Sequence, residues 1–157
     1  MLATILRNKP AAWKVIVLAA AATIAGASQG MPLLWGAIAV AVLASSYEIL
    51  RIAAMRIAAN RAARGARIPL KYGIERGAAR LEKTLAERNA PVAFDSRNAS
   101  GREKSLAGLG SKTLIVAASG VAILLSPEEK AAFITADESN AAAVTLAQVL
   151  KTKLEMG

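Results

Sequence analysis

Between Val15 and Tyr47 the chain carries no charged residue. Drawn as one helix, this run would be roughly 50 Å long, against a bilayer hydrocarbon core of about 30 Å. It must therefore tilt steeply or fold back, and Gln29-Gly30-Met31-Pro32 marks the fold. Glycine ends a helix readily, and proline opens one at the position where its missing N–H costs nothing. The pattern predicts a pair of transmembrane helices, Pro10–Ser28 capped by Asn8, and Pro32 to about Leu50. Lys14 can snorkel to the surface, Trp13 and Tyr47 fall at one interface, and Trp35 falls near the other. Ala21, Ala22, Ala25 and Gly26 can face Gly36, Ala37, Ala41 and Ala44. Such small residues let two backbones approach closely, within one chain or between subunits. A cleavable signal peptide is the rival reading, with Val15–Ile24 as its core and Ala25-Gly26-Ala27 as the cleavage site. The second apolar run that follows at once favours the hairpin.

Past Ile49 the spacing stays helical to Ala66. Ile52, Met55, Ala59, Ala62, Ala63 and Ala66 gather on one side, and Arg56, Arg61, Arg64 and Arg67 on the other, with Ile57 an exception. Gly65 and Pro69 end this helix. A second, about Leu70–Arg88, carries the stripe Ile74, Ala78, Leu81 and Leu85, and Asn89–Gly110 reads as an exposed linker. Thr113–Leu125 is apolar but makes only about 20 Å of helix, so it suggests a short third transmembrane or re-entrant helix. Basic Arg97, Arg102, Lys104 and Lys112 precede it and Glu128 and Glu129 follow, an asymmetry that would send the C-terminus outside. Ser126-Pro127-Glu128-Glu129 and Thr135-Ala136-Asp137-Glu138 read as helix starts. Ala143, Leu146, Ala147, Leu150 and Leu154 form the apolar face of a final amphipathic helix, which needs a partner. The expected fold class is an all-α integral membrane protein. Residues 1–50 form the hairpin, 51–111 the basic cytosolic helices and linker, and 112–157 the third apolar segment and C-terminal amphipathic helix.

Composition supports close helix packing: hydrophobic residues make up 55 % of the chain, aromatics only 4 %, and much of the apolar share is alanine. The net charge of +9 lies almost wholly on the two flanks of the first apolar block. Arg7, Lys9 and Lys14 precede the block, arginines from Arg51 onward follow it, and the connecting turn has no charge. The positive-inside rule then places the N-terminus and the basic segment in the cytoplasm, in a bacterial inner membrane or a virion membrane. Arg51, Arg56, Arg61, Arg64, Arg67 and Lys71 admit three roles. They can be a solvated face that enforces topology, a contact for anionic lipid worth about 1 kcal/mol per residue, or a phosphate-neutralising contact for nucleic acid. The segment's aromatics are Tyr72 and Phe94 alone, so any nucleic acid would bind without a stacking platform and without sequence preference.

Candidate chemistry is sparse. There is no cysteine and no histidine, which removes thiolate metal sites and the commonest general base. Gly108-Leu109-Gly110-Ser111-Lys112-Thr113 superficially follows a phosphate-binding loop, but Leu106 and Ser111 occupy both required glycine positions. Gly73 and Gly77 have dimer-motif spacing in a segment too charged to use it. Glu128, Glu129, Asp137 and Glu138 could hold a hard cation, although helix capping explains them more cheaply. Glu48 beside the uncharged block fits a headgroup position next to Arg51, and the sequon Asn98-Ala99-Ser100 falls on the cytosolic side. No catalytic residue, cofactor site or metal site is expected. In general organisation the chain resembles phage virion membrane proteins, holins and small subunits of secretion or conjugation machines, with no diagnostic motif.

The function expected from these features is a non-catalytic, membrane-embedded assembly subunit of an oligomer. Its helices would pack through Ala22, Gly26, Gly36, Ala37 and Ala41, with membrane lipids, further subunits and non-specific nucleic acid as partners. The alternatives are a pore-forming, holin-like protein whose opening is lined by Thr23, Ser28, Gln29, Ser45 and Ser46, and an accessory subunit of a larger membrane complex.

Overall fold

The apolar run expected to cross the membrane a third time is two β-strands. In the structure, a computed structural model that describes Leu6 and residues 12–27 and 30–156, Thr113–Ala117 and Ala122–Ser126 pair antiparallel, with Thr113 opposite Leu125 and Val116 opposite Ala122. Ala118–Gly120 turn the chain between them: the Val121 carbonyl accepts from the Ala117 N–H at 2.9 Å, and Gly120 takes the left-handed φ of 96°. That conformation costs glycine little and other residues much. The protein is therefore not all-α, and the apolar run of residues 113–125 provides no membrane span or re-entrant helix.

The elements in chain order are α1 (Ala12–Ala27), α2 (Pro32–Ala63), β1 (Ala66–Pro69), α3 (Ile74–Glu87), β2 (Val92–Asp95), α4 (Gly101–Leu106), β3 (Thr113–Ala117), β4 (Ala122–Ser126), β5 (Ala131–Thr135) and α5 (Ala141–Glu155). They divide into two units, residues 8–51 and residues 52–157 with 1–7. The expected cap Asn8, the helix start Pro10, and Arg7, Lys9, Ser28 and Gln29 lie outside the described residues, as do the side chains of Trp13 and Lys14.

The larger unit is built on one antiparallel sheet of order β1-β5-β4-β3-β2. Successive residues of a strand face opposite sides, so each strand feeds two cores. On one side Ile68, Ile115, Ile123, Leu125 and Ile134 meet Ala78, Leu81 and Leu85 of α3 and Leu146, Leu150 and Leu154 of α5. On the other side Phe94, Leu114, Val116 and Leu124 meet Ala54, Met55, Ala58, Ala59 and Ala62 of α2. Three layers result, helix, sheet and helix, with the sheet covered on both faces. The amphipathic face of α5 finds its partner in this sheet. Because β3, β4 and β5 belong to the same unit as Arg56–Lys71, the expectation of a C-terminus sent across the membrane falls with the third span.

Local chemistry explains the remaining departures. Ser126-Pro127-Glu128-Glu129 starts no helix; residues 127–130 form the turn between β4 and β5, with the Lys130 N–H donating to the Pro127 carbonyl at 3.3 Å. Helix α5 starts at Ala141, capped by Asn140, whose Oδ1 accepts from the N–H groups of Ala142 and Ala143. The supposed linker holds β2 and α4. Ser100 and Glu103 close a reciprocal capping box, the Ser100 N–H donating to Glu103 Oε2 at 2.8 Å and the Glu103 N–H to Ser100 Oγ at 3.2 Å. Gly65 follows α2 where a Cβ would run into the Ile134 carbonyl of β5, so only glycine lets the chain enter β1 there.

Candidate functional site

Two regions carry surface that packing alone does not explain, and each is described within its own unit. In residues 8–51, α1 and the first turns of α2 touch through their smallest residues. A Cβ on Gly26 would lie 2.9 Å from Trp35 Cβ, and one on Gly36 would collide with the Thr23 hydroxyl. Thr23 itself donates to the Ala19 carbonyl at 2.8 Å within α1. Gly26 and Gly36 are thus buried at the contact and Ala22 is half-buried, whereas Ala37 and Ala41 lie on the exposed surface of α2.

That surface is strongly apolar. Leu33 is 82 % exposed and Ile49 66 %, and Leu34, Ile38, Val42 and Leu50 are exposed as well. Between the helices runs an open apolar groove of about 670 Å³, lined by Ala21, Ala25, Trp35, Ile38, Val42 and Leu43 among others. Contiguous exposed apolar surface of this kind marks a membrane or protein contact. Among the described residues one helix, Leu33–Ala63, is long and apolar enough to cross a membrane, with a mean hydropathy of 1.8, where the sequence led to the expectation of a pair; α1 has 16 residues, short of a span.

The second region lies in the α/β unit, where the C-terminal end of α2, the β3–β4 turn and the β5–α5 loop enclose a polar cleft of about 640 Å³. Arg61 and Arg64 line it from α2 and the residue just past its end, Ser119 and Gly120 from the turn, Thr135 from the end of β5, and Asp137, Glu138 and Asn140 from the loop. Asn140 Nδ2 donates to the Ser119 carbonyl at 3.1 Å, which ties the turn to the start of α5. Asp137 accepts from the Ser139 hydroxyl at 2.7 Å and the Ser139 N–H at 3.2 Å. Those two hydrogen bonds, the hydroxyl's first, hold its carboxyl below the ordinary aspartate value, and the nearby Arg61 charge acts in the same direction. Ser119 Oγ is shielded from solvent and has no hydrogen-bond partner among the described residues.

The other basic residues singled out in the sequence are dispersed. Arg51 is half-buried in the smaller unit. Arg56 and Lys71 are exposed, and Arg67, on edge strand β1, makes a long 3.9 Å pair with Glu129 that is too solvated to add much stability. Only Arg61 and Arg64 of the six share a concave site. Phe94 is buried in the core, and the Arg80 guanidinium lies over one face of exposed Tyr72, 5.0 Å from the ring centre, so the segment offers no row of stacking rings. The four carboxylates considered for a cation part company. Glu128 accepts from Ser111 at 3.0 Å, Glu129 faces Arg67, and Asp137 and Glu138 line the cleft. Among the described residues no three acidic side chains are placed to hold a metal ion. The glycine-rich Gly108–Thr113 leads into β3 rather than leaving a strand, the reverse of a phosphate-binding loop.

In the sequence Ser119 and Asn140 have no site role, Ser119-Gly120 reading only as the middle of the apolar run, and Asp137 and Glu138 read as a helix start. The available signal was the Ser119-Gly120 pair inside an apolar run, which marks a turn. No family model, curated protein or solved structure matches this chain.

Proposed function

We propose that the protein is a non-catalytic membrane subunit of an oligomeric assembly. The first half of its α2, Leu33–Leu50, sits in the bilayer, and its α/β unit stands on the cytoplasmic side as an assembly module. The observation that carries this reading is the exposed apolar surface of α2 from Leu33 to Leu50. A helix of about 19 residues matches the hydrocarbon core, and lipid would cover side chains that water does not favour. The open groove beside Trp35 and Val42 would accept acyl chains or the helices of a second copy.

Exposed Arg56, Arg67 and Lys71 would contact anionic headgroups. Lipid is favoured over nucleic acid because Phe94 is buried and Tyr72 alone remains at the surface, too little for a stacking platform. The test is to wash membranes from expressing cells with alkaline carbonate, then record native mass spectra of protein released in mild detergent. Retention in the washed membrane and a defined oligomer with bound lipid are the expected results. Release by carbonate, or a lipid-free monomer, would contradict the reading.

A further inference from the structure

The polar cleft of the α/β unit has no part in membrane anchoring, and its lining is specific enough to indicate a ligand. Arg61, in the last turn of α2, and Arg64, just past its end, both line the cleft. Neither guanidinium is held by a hydrogen bond or ion pair among the described residues, although Asp137 is close enough for Arg61 to depress its pKa. Two free planar forks facing one cavity suit a group with several acceptor oxygens. Asp137 and Glu138, which also line the cleft, supply carboxylate acceptors that would repel a bare anion but would hold a cationic or hydroxyl group attached to it. The tie between Asn140 and Ser119 keeps the turn and the loop together without ligand, so the site is preorganised. At about 640 Å³ the cleft is far larger than one phosphate and falls in the usual range of small-molecule sites.

We infer that the cleft binds a phosphate ester carrying an ammonium group, with the phosphate on Arg61 and Arg64 and the ammonium on Asp137 and Glu138. Such a group occurs free, as a phosphorylated amino alcohol, and as the headgroup of a membrane phospholipid.

The test uses the full chain in mild detergent, titrated calorimetrically with O-phosphoethanolamine, with inorganic phosphate and with ethanolamine. Phosphoethanolamine should bind, inorganic phosphate should bind about tenfold more weakly, and ethanolamine should give no measurable heat. The double variant Arg61→Gln/Arg64→Gln should lose binding of both phosphate compounds, while circular dichroism stays unchanged because both side chains are exposed. Glu138→Gln should weaken phosphoethanolamine several-fold and leave inorganic phosphate unaffected. Competition by nanodiscs of phosphatidylethanolamine, but not of phosphatidylglycerol, would identify the lipid source, and its absence the free compound. The inference is overturned if neither phosphate compound binds, if the double variant binds as well as the parent, or if inorganic phosphate binds as tightly as the ester. None of these readouts depends on whether residues 8–51 occupy a bilayer.

Discussion

The two halves of helix α2 are both rich in alanine, yet their surroundings differ completely. From Leu33 to Leu50 most large side chains are exposed, Leu43 and Tyr47 being half-buried, whereas Met55 and Ala62 are each 0 % exposed. The second half lies on a sheet whose Leu114, Val116 and Leu124 fill the space beside its alanines. The first half has only α1 beside it within its own unit, and the contact there runs through Gly26 and Gly36. One helix can thus carry two kinds of apolar face, one whose partner is folded from later sequence and one whose partner is the surrounding medium. Alanine permits both, because it allows close approach without specifying what approaches.

Aspartate substitution should separate the two halves most sharply. Ile123→Asp puts an unpaired carboxylate into the centre of the sheet, where the side chain is 0 % exposed, and should cost about 4 kcal/mol or more. The α/β unit should then be cut rapidly by protease while the chain stays in the membrane fraction. Val40→Asp should do the opposite, costing about 3 kcal/mol of membrane insertion and leaving the protease resistance of the α/β unit intact. Equal loss of both properties in either variant would show that the halves are not independent.

Enlarging an alanine gives a smaller contrast. Ala58→Leu overfills the contact with the sheet and should lower stability by about 1–3 kcal/mol in urea unfolding. Ala41→Leu, on the exposed half, should change the same measurement by less than about 0.5 kcal/mol. Similar costs at both sites would mean that the first half also packs against protein.

The smallest effect concerns Asp137. Its folded pKa is depressed, so the stabilisation from its Ser139 hydrogen bonds is present above the unfolded aspartate value and is lost as pH falls through the folded value. In a carboxyl NMR titration, Ser139→Ala should move the Asp137 midpoint up towards 3.8, the ordinary value. An unmoved midpoint would assign the shift to the Ser139 N–H and Arg61 instead of the hydroxyl.

These contrasts also mark what could be read from the sequence. Helical stripes were legible where apolar residues recur at three and four positions, as in Ala78, Leu81 and Leu85 or Leu146, Leu150 and Leu154. The central strands were not, because a sheet covered by helices on both faces loses the alternation that identifies a strand. Every residue of Ala122–Ser126 is buried, so β3 and β4 read together as one apolar run. Its length of thirteen, short for a span, and its central Ser119-Gly120 were the residual signs of a hairpin. β1 and β2 are four-residue edge strands, too short to show any period. The cleft was illegible for a different reason. Arg61, Ser119 and Asp137 are far apart in sequence, and only the antiparallel return of β4 and β5 brings their loops together.

The central claim is that lipid covers the exposed face of α2, and the absence of cysteine allows a direct measurement without background. In membranes opened on both sides, a charged maleimide should label Arg102→Cys, on the exposed surface of α4, and should leave Val40→Cys unlabelled until detergent is added. Labelling of Val40→Cys at the rate of Arg102→Cys before detergent would contradict the account.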